Sequence, residues 1–116
     1  MGLDEAYIDL TDYIKINGEK EKISEIVEQM RKEIFQKTNL TCSAGIAATK
    51  ILAKICSDKN KPNGQFYLPH DRKEMLTFVS NLNVRKIPGI GEVTERMLNA
   101  IGITKCGEMV RIEKVN

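Results

Sequence analysis

Leu40-Thr41-Cys42-Ser43-Ala44-Gly45-Ile46 places apolar side chains at every second position, the period of a strand with one face buried. The chain then runs from Ala47 to Ser57 with Ile51, Leu52 and Ile55 on one helical face and Lys50 and Lys54, four apart, on another. The same order precedes it. Ala6 to Leu10 alternates around Tyr7 and Asp9, and a polar stretch with an Asn17-Gly18 turn signal leads to Ile23, Ile26, Val27, Met30, Ile34 and Phe35 at three- and four-residue spacing. That helix faces outward with Glu25, Glu28, Lys32 and Glu33, a mixed-sign solvated surface. Proline and an Asn-Gly turn in Asp58-Lys59-Asn60-Lys61-Pro62-Asn63-Gly64 break the pattern before a short strand, Gln65 to Leu68.

From Pro69-His70-Asp71 onward the pattern is helical. Asp71 is placed to cap a helix whose apolar positions are Met75, Leu76, Phe78, Val79 and Leu82. Residues 84 to 103 read as a short helix, a turn at Gly89-Ile90-Gly91, and a second helix with Val93, Met97, Leu98 and Ile101 facing inward. Gly102 ends that helix, Thr104 caps a last one through Val110, and Arg111 to Asn116 read as a frayed end. The expected fold class is α+β: a few-stranded sheet with two helices over residues 1–70, then a small helical domain over residues 71–116.

The chain has 116 residues, 41% hydrophobic and 29% charged, enough for one ordinary domain or two small lobes. A net charge of +2 announces no nucleic-acid binder, so the distribution of charge decides. An aromatic share of 5% argues against a base-stacking surface. Cys42, Cys56 and Cys106 lie far apart with no metal-ligand spacing and read as reduced thiols. Residues 1–5 hold neither a basic segment nor an apolar run, and no stretch approaches bilayer length, so neither secretion nor a membrane is expected. His70, in a polar turn, has no nucleophile or orienting partner around it.

Three groups of residues could carry chemistry. Asp4 and Glu5 form an acidic pair of the kind that holds divalent cations, provided that they lie at a strand terminus; otherwise they are a solvated charged pair, as Asp9 and Asp12 are expected to be. Lys50, Lys54, Lys59 and Lys61 gather on one helix face and its following loop, where they could hold a triphosphate or simply solvate a turn. Leu82 to Gly91, running into the helix that ends near Ile101, matches a helix-hairpin-helix pattern. Its glycines let backbone amides come close to a phosphate, and Arg85, Lys86 and Arg96 surround the turn with charge. A tight turn needed only for packing is the other reading.

In order and spacing these groups resemble the Y-family, or lesion-bypass, DNA polymerases. The likeness is carried by Leu3-Asp4-Glu5-Ala6-Tyr7-Ile8-Asp9, Ser43-Ala44-Gly45-Ile46-Ala47, Lys54, Asp58 to Gln65 and Ile87-Pro88-Gly89-Ile90-Gly91. Cys56 to Gly64 resembles the DinB/kappa-like branch most. The resemblance implies a partial palm followed by the thumb. It implies that Asp4 and Glu5 hold two Mg²⁺ ions for phosphoryl transfer to a primer 3′ end, and that Lys61 contacts the incoming deoxynucleoside triphosphate. It also implies that Gly89, Ile90, Gly91, Lys86 and Arg96 grip primer-template DNA without reading its bases. Such an enzyme works in the nucleus of a eukaryote or the cytoplasm of a prokaryote.

Members of that family usually carry serine where Gly2 stands, which makes Met1-Gly2 look like an artificial start. The family's first metal-binding aspartate, its fingers and its little finger have no counterpart here, so these residues alone are expected to be inactive. A palm without its first strand exposes a sheet edge open to self-association. Two rivals remain open: a non-catalytic helix-hairpin-helix DNA-binding module, and a protein-interaction scaffold that would show no salt-dependent DNA binding.

Overall fold

The computed structural model describes residues 5–17 and 22–109. It divides into two compact units, with the division between Tyr67 and Leu68. No described helix is long and apolar enough to cross a membrane.

In the first unit, α1 spans Thr11–Asn17 and α2 spans Ile23–Thr38. β1 (Ala44–Ile46), α3 (Lys50–Ser57) and β2 (Gln65–Tyr67) follow as a strand-helix-strand unit. The two strands are parallel, with Ala44 opposite Gln65, Gly45 opposite Phe66 and Ile46 opposite Tyr67. Thr49 starts α3 in extended conformation and its hydroxyl accepts from the Leu52 amide at 3.2 Å. Val27, Ile46, Ile55 and Cys56 are the buried residues of this unit. Gly45 fixes how closely strand and helix meet, because a Cβ there would run into the Ala53 carbonyl oxygen and the Ser57 amide of α3.

In the second unit, α4 spans Arg72–Ser80, a 3-10 turn spans Val84–Lys86 and α5 spans Glu92–Ala100. Asp71 caps α4 as its sequence position suggested, accepting from the Glu74 amide at 3.2 Å. Gly102 adopts φ +87°, its amide donates to the Asn99 carbonyl at 3.0 Å, and the Ile103 amide donates to Leu98 at 2.9 Å. That pair of bonds is a Schellman stop, and it tucks Ile103 into the interior. Val84 is fully buried, and the segments 82–84 and 104–106 are tied by Val84 N to Thr104 O at 3.0 Å and Cys106 N to Leu82 O at 2.9 Å.

Several expectations are corrected. Residues 6–10 form no strand, since period-two patterning supplies a buried face but not a pairing partner, and no described segment pairs with them. Tyr7 and Ile8 are exposed instead. The polar stretch before Gly18 contains α1, started by the Asp9 carboxylate, which accepts from the Thr11 amide at 2.9 Å. β1 is shorter than Leu40 to Ile46, because its ladder with β2 covers only three residues.

Ile51 is exposed, lying off the α3 face that meets Gly45. Leu76 is exposed, and so are Val93 and Met97 on α5 and Ile101 just after it, four residues apart, so that of these apolar positions and Leu98 only Leu98 is partly covered. The last helical turn begins at Cys106 and is described to residue 109; its cap is Lys105, whose amide donates to the returning Glu108 carboxylate at 3.2 Å. Thr104 supplies only a hydroxyl that donates to that same carboxylate at 3.1 Å.

Candidate functional site

The first unit gathers the acidic and basic candidates. Asp4 lies outside the described residues, whereas Glu5 is placed against α3. The Lys54 ammonium donates to both Glu5 carboxylate oxygens, at 2.7 and 2.8 Å, with both side chains about one-third exposed. The hydrogen bond from Lys54 to Glu5 raises the lysine pKa above its usual value against a smaller opposing effect of desolvation. Lys61 stands one turn further, paired with Asp58 at 2.7 Å, and its pKa is likewise raised, chiefly by the Asp58 hydrogen bond. Lys50 and Lys59 sit over rings, 5.9 Å from Tyr7 and 5.7 Å from Phe66. Each of the four lysines thus already faces a carboxylate or an aromatic ring.

A divalent cation of the hard type takes oxygen donors, and Glu5 supplies a partly exposed carboxylate that fits as one such ligand. Among the described residues no group of three metal-ligating side chains converges. By itself Glu5 therefore makes no complete cation site among the described residues, and Lys54 balances its charge.

The loop from Asp58 to Gln65 is closely held. The Asn60 amide donates to the Gln65 carbonyl at 2.7 Å, and the Gly64 carbonyl accepts from Ala44 at 3.0 Å. Gly64 rests against Asn60, leaving no room for a Cβ. Arg31 of α2 reaches the same loop, a contact the sequence does not advertise because its partners are 11 to 34 residues away.

The second unit carries the hairpin. Gly89 has φ +96°, a conformation that glycine adopts without penalty, and the Ile90 amide donates to Ile87 at 3.1 Å. Gly91 precedes α5 in extended conformation, and no side chain caps this helix. The first amides of α5 are accordingly left for an external acceptor. Around both glycines a Cβ would meet nothing within 4 Å, so the turn is open to approach.

The charges beside it are partly spent on one another: Arg96 pairs with Glu92 at 2.7 Å and Arg85 with Glu95 at 3.2 Å. Lys86 is exposed and forms no ion pair among the described residues. The pairing of Arg96 with a glutamate on its own helix is the feature that reading the basic residues alone missed. The i, i+4 spacing from Glu92 signals it.

Sequence comparison adds the relationships. The profile of the impB/mucB/samB family matches residues 1–58, and that of the helix-hairpin-helix motif of the same family matches residues 72–103. DNA polymerase kappa of Arabidopsis thaliana is 54% identical over 110 residues, and DNA polymerase IV of Shewanella woodyi is 46% identical over 109. Each alignment covers 94% of this chain, which spans 16% of the first protein and 29% of the second. The crystal structure of DinB from Sulfolobus solfataricus superposes with a TM-score of 0.83 at 39% identity, over 95% of this chain and 31% of that one. The insertion ternary complex of Dbh DNA polymerase gives a TM-score of 0.82 at 39% identity, with the same coverage. With one family's profiles matching both units in order, this chain belongs to the impB/mucB/samB family, the Y-family translesion DNA polymerases, and corresponds to part of the length of such an enzyme.

Proposed function

We propose that this chain forms the palm-and-thumb part of a translesion DNA polymerase that extends a primer 3′ end by metal-assisted phosphoryl transfer. The observation that carries the reading is the uncapped, open N-terminus of α5 behind Gly89 and Gly91, joined in one chain to the carboxylate and lysine cluster of Glu5, Lys54 and Lys61. The relatives supply the prior, since polymerase kappa and polymerase IV are what the sequence is similar to.

Each residue then has a physical task. Glu5, together with Asp4, supplies carboxylate oxygens to divalent cations, Mg²⁺ by preference for phosphate oxygens and octahedral ligands. The cations, when bound, neutralise charge on the transferring phosphates and activate the primer hydroxyl. Lys61 offers a point charge to the triphosphate tail, giving up its exposed pair with Asp58, a contact of the kind worth about 0–1 kcal/mol. The turn at Gly89, Ile90 and Gly91, with Lys86 and Arg96, holds the duplex backbone through amides and charge and carries no base preference. Domain limits of 1–70 and 71–116 follow from assigning the lysine loop to the palm and the hairpin to the thumb. A nuclear or cytoplasmic setting follows from the same assignment.

The test is primer extension with Mg²⁺ or Mn²⁺. A longer polypeptide containing this chain is expected to incorporate templated nucleotides and to lose incorporation when Glu5 is replaced by Gln. These 116 residues alone are expected to give none. The alternative, a DNA-binding module without catalysis, draws on the engagement of both Glu5 oxygens by Lys54. It predicts duplex binding with full indifference of the longer polypeptide to Glu5→Gln. Self-association is a separate proposal, supported by a sheet of only two described strands, and light scattering that finds a strict monomer at high concentration would remove it.

A further inference from the structure

The reach of Arg31 from α2 joins two stretches of the chain that are distant in sequence, the segment before β1 and the lysine loop. The Arg31 guanidinium donates through Nε to the Cys42 carbonyl at 3.0 Å, through one terminal nitrogen to Gln65 Oε1 at 3.0 Å, and through the other to Asn63 Oδ1 at 2.9 Å. These acceptors lie just before β1, at the first residue of β2, and in the lysine loop itself. The Gln65 amide is fixed at its other end, donating to the Ser24 carbonyl of α2 at 2.8 Å. Asn63 is held with φ +53°, a left-handed conformation that asparagine accepts more readily than most residues.

We infer that Arg31 is a positioning residue, holding the 61–65 loop against α2 so that Lys61 presents its ammonium in a fixed place. The argument rests on the geometry of the donor. A planar guanidinium offers donors in a rigid fork, so three acceptors, one before β1 and two in the 61–65 loop, are tied to one plane and to each other. A lysine at the same position has one nitrogen and cannot span them. Lys61 lies two residues from Asn63, so loosening Asn63 spreads the range of positions available to the Lys61 backbone. Arg31 acts through that backbone, and each of its three nitrogens donates to a protein acceptor.

The inference rests on the reading of Lys61 as a triphosphate contact, and the experiment separates the two. Inorganic tripolyphosphate is titrated at low salt into the chain, Arg31→Met, Arg31→Lys, Lys61→Ala and the Arg31→Met/Lys61→Ala double variant. Amide hydrogen exchange is followed in parallel. Arg31→Met is expected to weaken tripolyphosphate binding by about tenfold or less, the scale of one charged hydrogen bond, and to speed exchange at residues 60–65 while leaving the α3 amides unchanged.

Arg31→Lys should fail to restore either, and the double variant should bind no more weakly than Lys61→Ala. Losses that multiply in the double variant overturn the inference, because Arg31 would then be acting independently of Lys61. Unchanged exchange at 60–65 overturns it as well. If Lys61→Ala leaves affinity intact, the triphosphate reading of Lys61 falls, and the exchange data alone decide whether Arg31 orders the loop. Should Arg31→Met fail to fold, Asn63→Gly removes one acceptor while keeping the positive φ, and must loosen residues 60–65 for the inference to stand.

Discussion

Lys54 and Glu5, 49 residues apart in sequence, meet through a two-pronged contact in which one ammonium donates to both carboxylate oxygens. The lysine therefore occupies the positions from which a cation would be held. Lys54→Met is expected to tighten Mn²⁺ binding a few-fold, since it removes a competing positive charge from a partly exposed pair. Calorimetry or electron paramagnetic titration of free Mn²⁺ measures it. Weaker binding in the variant would mean that Lys54 orients Glu5 for the metal more than it competes with it.

The two hairpin glycines should respond differently to alanine. At Gly91 the backbone is extended and a methyl group meets nothing, so Gly91→Ala is expected to leave the stability within about 0.5 kcal/mol of the parent while weakening binding to a DNA duplex. At Gly89, with φ +96°, alanine is expected to cost about 1–2 kcal/mol of stability. Thermal melting and fluorescence anisotropy with a labelled duplex separate the two effects. Undiminished affinity in Gly91→Ala would leave the turn with a packing role only.

Arg96 is held by Glu92, one turn before it on α5. Glu92→Gln should release the guanidinium and strengthen duplex binding, whereas Arg96→Gln should weaken it and flatten the salt dependence by about one unit of slope, as expected for one lost phosphate contact. Binding measured across a series of salt concentrations distinguishes this from a general loss of fold. An unaltered slope in Arg96→Gln would take Arg96 out of the interface.

Burial pushes the Cys56 thiol up to about 11, and the side chain is fully enclosed. A group whose folded pKa is raised stabilises fully below its unfolded value, near 9.0, and that contribution is lost as pH climbs towards 11. Stability to denaturant should accordingly fall between those two pH values. At pH 8 Cys56 should resist iodoacetamide until the chain unfolds, while the less enclosed Cys42 reacts first. Mass spectrometry of the alkylated peptides gives the order.

Local signals in the sequence were reliable where the structure is local. Asp71 before α4, Gly102 after α5 and the apolar period of α2 each place an element within a few residues, because caps and helical faces are decided by near neighbours. Non-local relations were not legible. The alternation at residues 6–10 says nothing of whether a partner strand lies alongside, and the stripe of Val93, Met97 and Ile101 says nothing of whether anything covers it. The same distinction divides the site. The acidic residue, the lysines and the glycines could be named from spacing and resemblance, but not the pairing of Glu5 with Lys54, nor the reach of Arg31 to Cys42 and to the 63–65 stretch.

Gly45 leaves the strand no clearance from the helix behind it. The β1 backbone lies so close to Ala53 and Ser57 that no side chain fits between strand and helix at position 45. Lys54 lies between those two contact points and Asp58 directly follows them, so the root of the lysine loop inherits its place from the strand. The register of a three-residue strand thereby calibrates where the cationic groups stand, and a single methyl group at position 45 would shift them all in concert.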